Sequence, residues 1–82
     1  TSKAPMMLVV NATELDAEST ILDAVKASGK VCKVKSRNVS AGHLDMIVEV
    51  RTAKEAELVK AVSGIAAVTS VSLISHDGEV TF

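Results

Sequence analysis

The chain has 82 residues, nine basic and ten acidic, for a formal charge of −1, and 48% of its residues are apolar although Phe82 is its single aromatic. One small domain with an aliphatic core of Val, Ile, Leu, Met and Ala follows, close to the lower size limit for stability by core burial alone. The mixed charges exclude a phosphate-neutralising surface and the lack of aromatics excludes base stacking, so nucleic acid is not a partner.

In chain order, Thr1 to Pro5 reads as a linker or an engineered remnant, and residues 6–82 read as one domain. Met6 to Asn11 is an unbroken apolar run closed by a polar residue, which predicts a short strand buried on both faces at the centre of a sheet. From Leu15 the period becomes helical, with Ile21, Leu22 and Val25 on one side and Glu18, Asp23 and Lys26 elsewhere. Asp16 is a candidate N-cap and Thr13 a second. Gly29 is expected to end the helix in the left-handed conformation.

Val31 to Val39 alternates, which predicts an edge strand with Cys32, Val34 and Ser36 facing the helices and Lys33, Lys35 and Arg37 outward. Ser40 to His43 supplies a turn. Beyond it Leu44, Met46, Val48 and Val50 alternate against Asp45, Ile47, Glu49 and Arg51, which predicts a hairpin whose basic and acidic rows pair across the strands. Thr52 and Glu55 have the spacing of a capping box, so a second helix is expected over Ala53–Ser63, with Ala56, Leu58, Val59 and Val62 inward and Gly64 closing it as Gly29 closes the first. Val68 to Ser75 is again β-branched and apolar, and Asp77-Gly78 signals a turn into a short terminal hairpin strand over 79–82.

Two βαβ units with right-handed crossovers predict an α+β, ferredoxin-like βαββαβ sandwich, a four-stranded antiparallel sheet of order 4-1-3-2 with both helices on one face. The other face is left open. There the first strand presents either Met7 and Val9 or Met6, Leu8 and Val10, joined by Ile47 and one register of Val71 and Leu73. An apolar centre on an open sheet marks a partner surface, and Met7, Val9 and Ile47 are its candidate residues.

No catalytic constellation, metal site or cofactor motif is found. His43, His76 and Cys32 offer no close-spaced ligand pair, so exposed turns are the simpler reading of the histidines. Cys32, placed on the helix-covered side, reads as a small buried hydrophobe rather than a nucleophile. The loop after the first strand, Asn11-Ala12-Thr13, lacks the paired cysteines of heavy-metal carriers and the glycines of a phosphate cradle. Acylphosphatases need an arginine there, where this chain has Glu14 and Asp16. The row Lys33, Lys35 and Arg37 reads as a solvated edge paired with acids before it reads as an anion site.

A lone cysteine cannot form an intramolecular disulfide, which favours the cytosol, and neither an apolar run of membrane-spanning length nor a signal segment is present. The element order and the ending Ser70-Val71-Ser72-Leu73-Ile74-Ser75-His76-Asp77-Gly78 resemble the ACT-like soluble C-terminal domain of small bacterial membrane proteins, the MgtC-type and related families of unknown function. The resemblance implies a regulatory or oligomerisation domain at the cytoplasmic face of the membrane, soluble as this piece, with membrane helices preceding Thr1. ACT domains commonly bind amino acids through the loop after the first strand. Here that loop has no glycine, and Asn11 and Thr13 are the candidate contacts for a small-molecule effector, polar and beside a helix start. The expected function is non-enzymatic self-association through the sheet face or strand edges, with small-molecule sensing as the alternative.

Overall fold

The computed structural model describes residues 4–80. The first three residues of the expected linker, and Thr81 and Phe82 of the expected terminal strand, lie outside them. The elements are β1 (Met6–Ala12), α1 (Ala17–Ser28), β2 (Lys30–Ser40), β3 (His43–Arg51), α2 (Glu55–Ser63), β4 (Val68–Ser75) and β5 (Gly78–Glu79). The fold is α+β, two helices on an antiparallel sheet. The expected four-stranded sheet of order 4-1-3-2 is corrected to five strands in the order β2-β3-β1-β4-β5. The difference is β5, which the turn at Gly78 (φ +116°) folds back to pair outside β4.

Strand alternation decides which side meets the helices. Met6, Leu8, Val10 and Ala12 of β1 and Leu44, Met46, Val48 and Val50 of β3 are buried, and they cluster with Ala17, Ile21 and Val25 of α1, Leu58 and Val62 of α2, and Leu73 of β4. The spacing of Ile21 and Val25, and of Leu58 and Val62, is one helical turn, so each helix lays one stripe on the sheet. Ala56, expected inward, is exposed.

Both helix ends depart from the sequence expectation. Gly29 has φ −178° and ψ −155°, an extended backbone and not a left-handed one. Its reason is space, since a Cβ there would stand 2.6 Å from the Arg51 carbonyl oxygen and 2.8 Å from Thr52 Cβ. Gly64 is right-handed (φ −77°, ψ −9°) and donates its N–H to the Lys60 carbonyl at 3.0 Å, while the Ile65 N–H after it donates to the Val62 carbonyl at 3.1 Å. Among the described residues, those with positive φ are Ala41 (52°) and Gly42 (80°) of the β2–β3 turn, and Gly78. Two consecutive positive φ values are what a two-residue type I′ hairpin turn requires.

Thr52 is likewise not the expected N-cap, because α2 begins at Glu55 after Lys54. Its buried hydroxyl donates to the Ser28 carbonyl at the end of α1 and accepts the Lys54 N–H at 2.8 Å. One side chain therefore ties the last turn of α1 to the first turn of α2. Replacing it with valine keeps the shape but strands a carbonyl and an N–H, so Thr52→Val is expected to lower stability by about 1–3 kcal/mol. Thr52→Ser, which keeps the hydroxyl, should retain most of it, and urea unfolding of the two variants measures the difference.

The open face of the sheet as candidate functional site

Residues opposite one another across a ladder share a face, so the register lays out the open side row by row. Met7 lies opposite Glu49 on one side and Ile74 on the other, and Val9 opposite Ile47 and Ser72. Asn11 lies opposite Asp45 and Ser70. The candidate residues Met7, Val9 and Ile47 therefore stand together on the open side, each only partly buried. Ile74, 38% exposed, completes the patch and was missed. The signal for it was the alternation of β4 itself, whose phase depends on the pairing with β1. Val71 and Leu73, expected to extend the patch in one register, instead face the helices. The open side of β4 is Ser70, Ser72 and Ile74.

β2 departs further from simple alternation. The register slips between Val31 and Lys33 and again between Val34 and Ser36, so Cys32 and Lys35 are extra residues at bulges. A bulge shifts the phase of every side chain beyond it. Two of them place Val31, Val34, Arg37 and Val39 on the helix side, opposite the buried Val50, Val48, Met46 and Leu44, and leave Lys33, Ser36 and Asn38 on the open side. Cys32, expected to be buried, is exposed. Arg37, expected outward, turns to the helix side and makes a bidentate ion pair with Glu18 of α1. Hydrogen bonding to Glu18, then its charge, holds the guanidinium pKa above its ordinary value. Lys35 lies 3.9 Å from Glu49, a pair of the kind expected across this hairpin.

Asn11 and Thr13 are placed together at the end of β1, and their polar atoms are engaged with β4 and the segment before it. The Asn11 side-chain amide donates to Ser70 Oγ, and the Asn11 backbone carbonyl accepts from Thr69 Oγ1 at 3.1 Å. The Thr13 N–H and hydroxyl both donate to the Ala67 carbonyl, at 2.8 and 3.3 Å. This set of bonds pins the loop before α1 to the start of β4.

A pocket of about 220 Å³ at the other end of the sheet is lined by Ala4, Pro5, Met6, Glu55, Ser75, His76 and Val80. Its serine and histidine serve the turn: Ser75 Oγ donates to the Gly78 carbonyl and accepts the Asp77 N–H, while His76 Nε2 lies 3.4 Å from Asp77 Oδ1. Among the described residues no three His, Cys, Asp or Glu side chains converge as a metal site would require, and no helix is long and apolar enough to cross a membrane. No protein-family profile matches the chain, and no curated protein matches it.

Proposed function

We propose that this domain is a non-enzymatic regulatory or oligomerisation module that pairs with a second copy of itself through the open face of its sheet. The observation that carries the reading is the clustering of Met7, Val9, Ile47 and Ile74 at the centre of the one face the helices leave bare, inside a polar surround of Glu49, Asp45, Asn11, Ser70 and Ser72. An apolar centre with a polar rim is the anatomy of a protein interface. Magnitudes set the strength. The five strands average about seven residues, β5 having only two, and at about 4.8 Å spacing and 3.3 Å rise they span roughly 550 Å², below the ~800 Å² per partner of a standard stable complex. An interface of this size lies at the small end, where transient, reversible associations are found.

In this reading the fold is a ferredoxin-like βαββαβ sandwich with one added edge strand, of the ACT-like kind. The domain belongs to the cytosolic C-terminal part of a bacterial membrane protein, where weak pairing of domains is reinforced by the membrane that holds them together. The sensing alternative, an amino-acid-type effector held at a domain interface near Asn11 and Thr13, has less behind it, because the Asn11 side-chain N–H and the Thr13 hydroxyl already donate within the chain. Sedimentation velocity tests the reading. The wild type should show a concentration-dependent rise in sedimentation coefficient, and Ile47→Asp, which places a charge in the patch without touching the buried side of β3, should abolish it. A wild type that stays monomeric through hundreds of micromolar overturns the proposal.

A further inference from the structure

The two edges of the sheet carry opposite charge on the open side, and this selects one geometry for the pairing just proposed, on which the inference rests. On the β2 edge, Lys33 stands opposite Glu49, and Lys35 leans on Glu49 from the neighbouring bulge. On the β5 edge, Glu79 stands opposite Ile74 and so shares its face, with Asp77 at the turn beside it. Lys33 and Glu79 are both exposed. Because β1 is the third of five strands, these edges lie symmetrically about it, each two strand spacings or about 10 Å away.

Two sheets stacked face to face with aligned strands can be related by a two-fold axis along the strands or across them. An axis across the strands keeps each strand over its own copy and reverses its direction. With Val9 and Ile47 at the centre, Glu49 then falls over the partner's Asp45, and the cationic β2 edge lies over itself. An axis along β1 exchanges the edges instead. β1 stays over its own copy, so Met7 and Val9 meet their counterparts, β3 lies over β4, and Lys33 of each copy falls over Glu79 of the other. We infer that this domain forms an isologous face-to-face dimer about an axis along β1, with two reciprocal Lys33–Glu79 contacts joining the positive edge of one copy to the negative edge of the other. Like-charge contacts disfavour the competing packing, and unlike ones favour this one.

The test is a charge reversal read by sedimentation equilibrium of the 82-residue chain at low salt, with far-UV circular dichroism confirming that every variant is folded. Lys33→Glu alone and Glu79→Lys alone should each weaken dimerisation about threefold to tenfold, the range expected when an exposed pair becomes a like-charge contact. The double variant K33E/E79K, which restores both contacts with the signs exchanged, should return to within about twofold of the wild type. A wild type that dimerises, with single-variant effects that add in the double variant, overturns this geometry and leaves the pairing standing. A wild type that never dimerises overturns both.

Discussion

Truncating Leu8 to alanine is expected to cost about 2–5 kcal/mol, the range for removing a fully buried aliphatic side chain that leaves a cavity. Leu8 has no exposed surface and sits mid-strand in β1, with Val48 opposite it in β3 and Leu73 opposite it in β4, both buried. At about 0.05–0.15 kcal/mol per residue the whole domain has only about 4–12 kcal/mol of stability, so this one change removes a large part of it. Val9→Ala on the same strand, one residue along and on the open face, should cost under about 1 kcal/mol in dilute protein, where pairing is absent. Urea unfolding measured side by side checks the contrast. Equal losses at the two positions would mean that the layered arrangement of β1 is wrong.

The second large effect concerns two glycines that look alike in the sequence. Gly29→Ala is expected to destabilise by about 1–3 kcal/mol, since the added methyl must push against the Arg51 carbonyl and Thr52 Cβ at 2.6 and 2.8 Å. Neither neighbour yields easily, because Thr52 is held by its bonds to Ser28 and Lys54. Gly64→Ala should instead gain about 0.4–1 kcal/mol. Its backbone is already helical, the nearest atom to a new Cβ lies at 3.4 Å, and alanine has less freedom to lose on folding. Thermal unfolding should move the two midpoints in opposite directions, by about 4–8 °C per kcal/mol for a chain of this size. A harmless Gly29→Ala would remove the argument that this glycine exists for close approach.

These two glycines also mark what the sequence can and cannot carry. The elements of β1, β3 and β4 are legible because apolar runs and strict alternation are local properties, and the hairpin turn announces itself by composition. The β2 bulges are not legible. Nothing in Val31 to Val39 signals an extra residue, yet the first slip moves Cys32 from the covered side to solvent and the second moves Arg37 from the outer row to Glu18. The close packing that needs Gly29, and the buried hydroxyl of Thr52 joining two helices, depend on residues more than twenty positions apart. Such contacts follow from the fold and cannot be read before it.

The same holds for the candidate site. Met7 and Val9 stood out because β1 is apolar on both faces, so that either face leaves apolar residues on the open side, and Ile47 because it breaks the polar row of Asp45, Glu49 and Arg51. Ile74 did not, because the phase of β4 was undetermined until its register with β1 placed Leu73 against the core. The fifth strand matters for the same reason. By extending the sheet beyond β4 it makes β1 the middle strand and supplies the acidic edge opposite the lysines of β2.

Pairing through the open face is the claim on which the functional account stands. The most direct measurement is an isotope-filtered NOE experiment on a mixture of methyl-labelled and unlabelled chains at several hundred micromolar. The account predicts intermolecular NOEs at the methyl groups of Met7, Val9 and Ile47, and none at Leu8, Val48 or Leu73, which face the helices. Methyl spectra that do not change with concentration and show no intermolecular NOE at these three residues would contradict it.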